Sequence, residues 1–329
     1  MNIIMTGSTS FVGAATVREL LRRGHTVTAI VRPKSSKLDT ILEGNEEALL
    51  SGRLLVTEND LSEPEKLLEK VTKPQDVFCH FGWGGSGSAS RTDKALQEKN
   101  MEISLETIRT AKALGCKKFL FSGSQAEYGM HQDLITENTV CEPKSLYGEA
   151  KLAMREKGEK LCDELGLRYI HARIFSAYGP GDHPWTLVES CLDIFLSNKE
   201  MSLGACTQKW NFLYIDDLAR GMAALCEAPE SAFEGLENPV FNFGGAETKV
   251  LKDPRTLRRT GREPIQHPRG ERRRSDQSDA VHRKAGDGDG MEARGRFQDR
   301  NYKDDRAQKE NHLTERESNS GVAERAAIS

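Results

Sequence analysis

Thr6-Gly7-Ser8-Thr9-Ser10-Phe11-Val12-Gly13 stands between a short apolar run, residues 2–6, and an amphipathic stretch over residues 12–23. A strand that enters a helix through a glycine-rich turn leaves the helix N-terminus, with its unpaired N–H groups and positive dipole end, open to an anion. A dinucleotide pyrophosphate makes three demands on such a turn: a tight bend, close backbone approach to phosphate, and contact between helix and strand. Gly7 and Gly13 meet the first and third. Ser10 takes the second position, where its hydroxyl can donate to phosphate. The same turn also serves ordinary strand-to-helix packing, so the surrounding chain has to decide.

Outward from this turn, short apolar runs alternate with longer amphipathic stretches, the pattern of strands and crossover helices around a parallel sheet. Strands are expected near residues 2–6, 26–31, 54–57, 77–81, 119–122 and 169–174, with helices near 12–23, 63–71, 93–114 and 146–165. The first helix should stop at Gly24 after Arg22 and Arg23, cations suited to the negative dipole end, and bury Val17, Leu20 and Leu21. The fold class is therefore α/β, a Rossmann-type doubly wound domain over residues 1–180. Past Gly179-Pro180-Gly181 a helix near 185–198, a strand near 212–215, a helix over 217–226 and a strand over 240–243 suggest part of a smaller substrate-binding lobe, residues 181–250.

Residues 251–329 differ in kind. They hold 15 Arg and 4 Lys against 11 Arg and 17 Lys before them, and the charge changes from 28 − 35 = −7 to 19 − 15 = +4, summing to the net −3. Only 17 of the 79 tail residues are hydrophobic, too few to bury a core. Fifteen acids interleaved with the 19 bases make a poor phosphate footprint, which argues against nucleic-acid binding. The seven Cys, at 79, 116, 141, 162, 191, 206 and 226, form no Cys-x-x-Cys pair and have no His at metal spacing, so neither a disulfide framework nor a metal site is expected. A reducing cytoplasm fits, and without a basic leader or 18 consecutive apolar residues neither export nor membrane insertion is implied.

Four positions carry candidate chemistry. Where the second strand ends, an acid would hold the ribose 2′-hydroxyl of NAD; the residue here is Arg32, whose guanidinium suits a 2′-phosphate and favours NADP, with NAD as the alternative. A solvated Arg opening a loop at Pro33 is the competing reading. Tyr147 and Lys151, four apart in an expected helix, share one face, and an ammonium beside a phenol should favour the phenolate and lower its pKa. Tyr147 can then exchange a proton with a carbinol or carbonyl oxygen while a nicotinamide exchanges hydride with the carbon. Such a pair also arises by chance on surface helices. The strand Lys118–Ser124 supplies context: it delivers Ser124 to the ligand-binding edge of the sheet, beside the reacting oxygen, although a Ser there can equally cap a turn.

With these residues in order, the chain resembles the extended short-chain dehydrogenases/reductases, the NAD-dependent epimerase/dehydratase group that includes nucleotide-sugar epimerases, dehydratases and ketoreductases. The likeness covers residues 1 to about 250. It rests on the turn at Thr6–Gly13, Asp60-Leu61, His80-Phe81-Gly82-Trp83, Asn100, Ser122-Gly123-Ser124-Gln125-Ala126-Glu127-Tyr128-Gly129, Tyr147-x-x-x-Lys151, the run from Arg173 to Gly181 and Phe212-Leu213-Tyr214-Ile215-Asp216-Asp217. The resemblance implies a catalytic set of Ser124, Tyr147 and Lys151. It implies a cofactor held by Gly7, Ser10, Phe11, Val12, Gly13, Arg32, Asp60, Leu61, Phe81, Gly82, Asn100, Ser122 and Lys151, with Asp60 and Leu61 at the adenine. Gly84, Ser124, Gln125, Ser176 and Trp210 would face the substrate. Ser176 stands where the family's Asn contacts the sugar nucleotide. Trp83 and Trp210 can stack on sugar or base, or simply pack.

Dehydratases of the family carry Asp-Glu after the catalytic Ser or Thr; Gln125-Ala126 cannot protonate a leaving hydroxyl, so dehydration is rejected. The resemblance leaves 4-keto reduction of a nucleotide deoxyhexose, toward which Arg32 inclines the reading, or NAD-dependent 4-epimerisation. A non-catalytic dinucleotide-binding relic is the rival from another class. The resemblance also implies a homodimer through a four-helix interface of the helices near 93–114 and 146–165. Where the family continues its substrate lobe, this chain turns to Arg-rich coil, and the tail is read as translated out of frame. Met291-Glu292 must be encoded ATG-GA, so a shift of one nucleotide forces a Trp codon, and permitted neighbours allow a Trp-Lys-Pro run like the family's ending.

Overall fold

The protein is described here as a computed structural model covering residues 1–85, 89–197, 207, 209–236, 239–245 and 249–250. The tail from 251 onward, with its out-of-frame reading, lies outside these residues. Strands β1 (Asn2–Thr6), β2 (Thr26–Val31), β3 (Leu54–Glu58), β4 (Val77–His80), β5 (Lys118–Ser124) and β6 (Arg168–Ile174) are followed by the short β7 (Ser176–Tyr178), β8 (Lys209–Trp210) and β9 (Phe212–Tyr214), then β10 (Val240–Phe243) and β11 (Lys249–Val250). The helices are α1 (Phe11–Arg22), α2 (Asp39–Leu42), α3 (Glu46–Leu50), α4 (Leu67–Lys70), α5 (Lys94–Ala113), α6 (Leu146–Leu165), α7 (Leu187–Leu196) and α8 (Ile215–Glu227).

Seven strands form one parallel sheet in the order β10-β6-β5-β4-β1-β2-β3. The chain winds outward in one direction from β1 and then, from β4, in the other, so the C-terminal ends of β1 and β4 open at the switch point where ligands bind in such sheets. The doubly wound expectation holds. Ser10 caps α1 by accepting from the Gly13 N–H at 3.0 Å, and the helix ends at Arg23 with Gly24 at φ +86°. Val17, Leu20 and Leu21 are buried as the pattern required.

Two parts of the fold differ from the sequence reading. The stretch near 63–71 is a 3-10 turn, Pro64–Lys66, leading into the short α4, while α2 and α3 were not anticipated, because segments this short carry little periodicity. The elements assigned to a second lobe also pack with the sheet. β10 pairs in register with β6, Val240 opposite His171, and Leu218, Met222, Ala223 and Cys226 of α8 share one core cluster with Val17, Leu20 and Leu21 of α1. Separately, β7 pairs with β9 in parallel and β8 with β11 antiparallel, both apart from the main sheet. On the other face Ile108, Ala111 and Leu114 of α5 and its end meet Met154 and Cys162 of α6 over Phe119 and Phe121.

Candidate active site

The turn after β1 is tight because side chains are excluded from it. Gly7 has φ +70°, and a Cβ there would lie 2.6 Å from the Phe81 carbonyl carbon and 2.7 Å from the Gly82 nitrogen. A Cβ on Gly13 would sit 2.1 Å from the Gly7 carbonyl oxygen, so helix and turn touch backbone to backbone. Gly82 is pressed in the same way by Leu61, whose Cδ1 would be 2.8 Å from an added Cβ. Gly7, Gly13, Leu61, Phe81 and Gly82 thus come together at the switch point. This cradle, open at the N-terminus of α1, fits a dinucleotide, with the N–H groups of Phe11 and Val12 in the first turn, where a helix provides no internal acceptor. The Phe11 and Val12 side chains pack against Ala15, Ile215 and Ala219.

The outer cofactor candidates are less converged. Arg32 follows the last residue of β2 and is exposed, its carbonyl accepting from the Ser35 N–H at 3.1 Å. Asp60 is exposed too, and its carboxylate is held below the usual range by hydrogen bonds from the Ser62 hydroxyl and N–H. Asn100 is buried and its amide is spent on one partner: Oδ1 accepts from the Gly84 N–H at 3.0 Å and Nδ2 donates to the Gly84 carbonyl at 2.8 Å. Asn100 therefore clasps the loop after β4, and Gly84 is the residue it fixes.

The catalytic candidates meet at the end of β5 and the start of α6. Ser145 caps α6 by accepting from the Gly148 N–H at 3.1 Å. A Cβ on Gly148 would lie 2.4 Å from the Ala126 carbonyl oxygen, so the absence of a side chain lets α6 press Tyr147 onto the Ser124 turn. Tyr147 is buried beside Ser124. Ser124 also takes the capping role: its Oγ accepts from the Ala126 N–H at 3.2 Å, while its own N–H donates to Glu127 Oε1 at 2.7 Å. Gln125 follows it, half-buried, in this 3-10 turn.

Lys151 lies fully inside. Its Nζ donates to the Ser122 carbonyl at 2.7 Å and sits 3.9 Å from the Trp83 ring centroid and 4.6 Å from that of Phe121. Burial pushes its ammonium down to about 7 against an upward pull from Glu127, which places both protonation states within reach near neutral pH. Tyr147 departs from expectation. Burial raises its phenol above the ordinary value, opposed by the Ser124 hydrogen bond and by Arg91, whose guanidinium lies 4.8 Å from the ring centroid, while Glu127 pushes further upward. The acidifying cation is Arg91, not Lys151: Lys151, pushed down to about 7, has lost its proton before the phenol, raised above its ordinary value, ionises.

Two further groups complete the setting. His80, fully buried at the end of β4, bonds Thr6 Oγ1 at 2.8 Å through Nδ1 and Ser104 Oγ at 3.0 Å through Nε2. Burial, with Lys151 adding to it, pushes its imidazole down to about 3, so it is neutral. The network assigns the tautomer: Ser104 donates to the Asn100 carbonyl at 2.7 Å and must accept from His80 Nε2–H, while Thr6 accepts from the Gly82 N–H at 3.3 Å and donates to Nδ1. Glu127 is completely buried beneath Ser124, paired with His171 and Arg173. The sequence reading gave neither residue a role, although Ser124-x-x-Glu127 is a legible capping-box pattern. The substrate candidates Ser176 and Trp210 lie apart, on β7 and β8; Trp210 stacks on Phe212 at 5.6 Å, the packing alternative. Trp83 packs edge-on to Tyr147 and Phe121.

A family model described as the NAD dependent epimerase/dehydratase family matches residues 3–244. The chain belongs to this family. Among its relatives, a UDP-glucose epimerase of Bacillus subtilis, described as uncharacterized, is 28% identical over 269 residues, 77% of this chain and 79% of the relative. A dTDP-6-deoxy-L-talose 4-dehydrogenase (NAD(+)) of Aggregatibacter actinomycetemcomitans is 30% identical over 175 residues, 52% of this chain and 60% of the relative. Among solved structures, UDP-glucose 4-epimerase of Thermotoga maritima with UDP-glucose matches at TM-score 0.66 and 25% identity, covering 80% of this chain and 85% of that one. The family is described as NAD dependent, and the Gly7 cradle with Ser124, Tyr147 and Lys151 is the candidate site of this member. No helix among the described residues is long and apolar enough to cross a membrane.

Proposed function

We propose that this protein is an oxidoreductase of nucleotide sugars, exchanging hydride between an NAD(P) cofactor and the C4 position of a nucleotide deoxyhexose, with 4-keto reduction as the working direction. The observation that carries the reading is that Tyr147 is buried beside the Ser124 turn, with Lys151 buried on the same helix, at the edge of the sheet next to the Gly7 cradle. A nicotinamide bound there supplies the hydride. Tyr147 moves the proton to or from the substrate oxygen, Ser124 orients that oxygen, and Lys151 holds the nicotinamide ribose. A phenol whose pKa lies above its ordinary value is protonated at neutral pH and suits the general acid of a reduction. Gln125 and Ala126 offer no acid for elimination, so dehydration is not part of the proposal.

A second reading, NAD-dependent 4-epimerisation, is favoured by the relatives named as 4-epimerases. Arg32 separates the two. Arg32→Ala should weaken NADPH binding about tenfold to a hundredfold, the worth of one charged phosphate contact, and leave NADH unchanged; equal loss for both cofactors would exclude a 2′-phosphate role. Tyr147→Phe is expected to abolish oxidation of dTDP-6-deoxy-L-talose and epimerisation of UDP-glucose while cofactor still binds, as read by quenching of intrinsic fluorescence. Turnover that survives in Tyr147→Phe rejects the assignment. We extend the reading to a dimer through α5 and α6 and to a reducing compartment, in keeping with the six described cysteines being free thiols.

A further inference from the structure

Beneath the turn that carries Ser124 lies a buried charge cluster whose size and position ordinary packing does not require. Glu127 is fully buried and accepts from His171 Nε2 at 2.9 and 3.0 Å, from Arg173 Nε at 2.7 Å and from the Ser124 N–H at 2.7 Å. His171 and Arg173 stand two apart on β6, both aimed at the same carboxylate, and both are buried. The cluster reaches the catalytic helix as well: His171 Nδ1 bonds Tyr169 Oη at 3.0 Å, and Tyr169 Oη donates to the Met154 carbonyl at 3.0 Å, one turn of α6 past Lys151. One buried path thus joins the Ser124 turn to the helix bearing Tyr147 and Lys151.

The backbone is cut to fit this path. A Cβ on Gly123 would lie 2.3 Å from His171 Nε2 and 2.7 Å from Glu127 Oε1, and a Cβ on Gly158 would lie 2.9 Å from the Tyr169 ring. Leaving a carboxylate in the interior is costly unless its partners are retained, so a cluster of this kind fixes one geometry in preference to its neighbours. We propose that Glu127 is a positioning residue of the reaction: clamped by His171 and Arg173, it holds the Ser124 turn against Tyr147 and acts on the proton transfer without touching substrate. The proposal rests on the assignment of Ser124, Tyr147 and Lys151 made above. Its charge is felt at the site too, since the carboxylate raises the pKa of both Tyr147 and Lys151. The other charged or titratable groups facing these two are Arg91 from the 3-10 turn Ala89–Thr92, His80 from β4, and each other.

The test is Glu127→Gln in the full chain, with two readouts. Tyrosinate absorbance in an alkaline titration, taken as the difference from Tyr147→Phe, isolates Tyr147 and needs no turnover; in Glu127→Gln it should move to lower pH. With dTDP-6-deoxy-L-talose or UDP-glucose, kcat should fall about tenfold or more at little change in KM, as expected of a misplaced group outside the binding surface. An unchanged Tyr147 titration and unchanged kcat overturn the proposal; an active Tyr147→Phe instead overturns the assignment beneath it. A purely structural role would lower the unfolding midpoint and leave the tyrosinate titration in place. Should Glu127→Gln not fold, Glu127→Asp keeps the charge with a shorter reach, and a wild-type kcat in that variant overturns the proposal equally.

Discussion

Lys151 Nζ donates to the Ser122 carbonyl at 2.7 Å, which ties α6, the helix that bears Tyr147, to the strand β5 that presents Ser124. A cation held this way is costly, because water is replaced by aromatic faces and a single carbonyl. Lys151→Met is expected to lower turnover at least about a hundredfold. Stability should behave differently. The folded pKa is depressed from 10.5 to about 7, so below about pH 7 both folded and unfolded chains carry the proton and the burial cost is fully present. Between about 7 and 10.5 only the unfolded chain holds it, and the wild type gains stability over Lys151→Met as pH rises, by roughly 5 kcal/mol across the window. Urea unfolding of both proteins on either side of neutrality checks this; parallel pH profiles would contradict a depressed Lys151.

Gly148 joins α6 to the Ser124 turn. Its substitution by Ala would set a Cβ 2.4 Å from the Ala126 carbonyl oxygen, a backbone atom that cannot swing aside. Gly148→Ala is expected to cost about 1–3 kcal/mol by overpacking. It should also reduce kcat by about tenfold or more through displacement of Tyr147 from Ser124, with cofactor affinity retained. Thermal unfolding and cofactor titration on one sample separate the effects, and wild-type kcat in this variant would show that the contact does not govern Tyr147.

His80 makes the fold sensitive to acid. Its folded pKa is pushed down from 6.5 to about 3 by burial, so on acidification through that window the unfolded chain takes up a proton that the folded chain refuses. Stability due to His80 is therefore complete above about pH 6.5 and falls below it, by roughly 5 kcal/mol when the window is crossed. His80→Gln should be less stable at neutral pH, having lost one of two buried hydrogen bonds, yet show a shallower decline toward acid. Identical slopes for the two proteins would mean that His80 takes its proton in the folded state.

Much of this was legible in the residues alone, and for a common reason. The Gly7–Gly13 turn, the helix stop at Gly24 and the four-residue spacing of Tyr147 and Lys151 are local: backbone sterics, capping and helical period act over a few positions, and the order of strands and crossovers follows from hydrophobic period. Tertiary contact decided the rest. No local pattern joins Glu127 to His171 and Arg173 across 44 and 46 residues, sets Trp83 over Lys151, or brings β10 beside β6. The sign of the Tyr147 shift belongs here as well. Spacing puts a lysine near the phenol, but only folding removes the water around it, turns Lys151 toward Ser122 and seats a carboxylate below, and desolvation then outweighs Ser124 and Arg91.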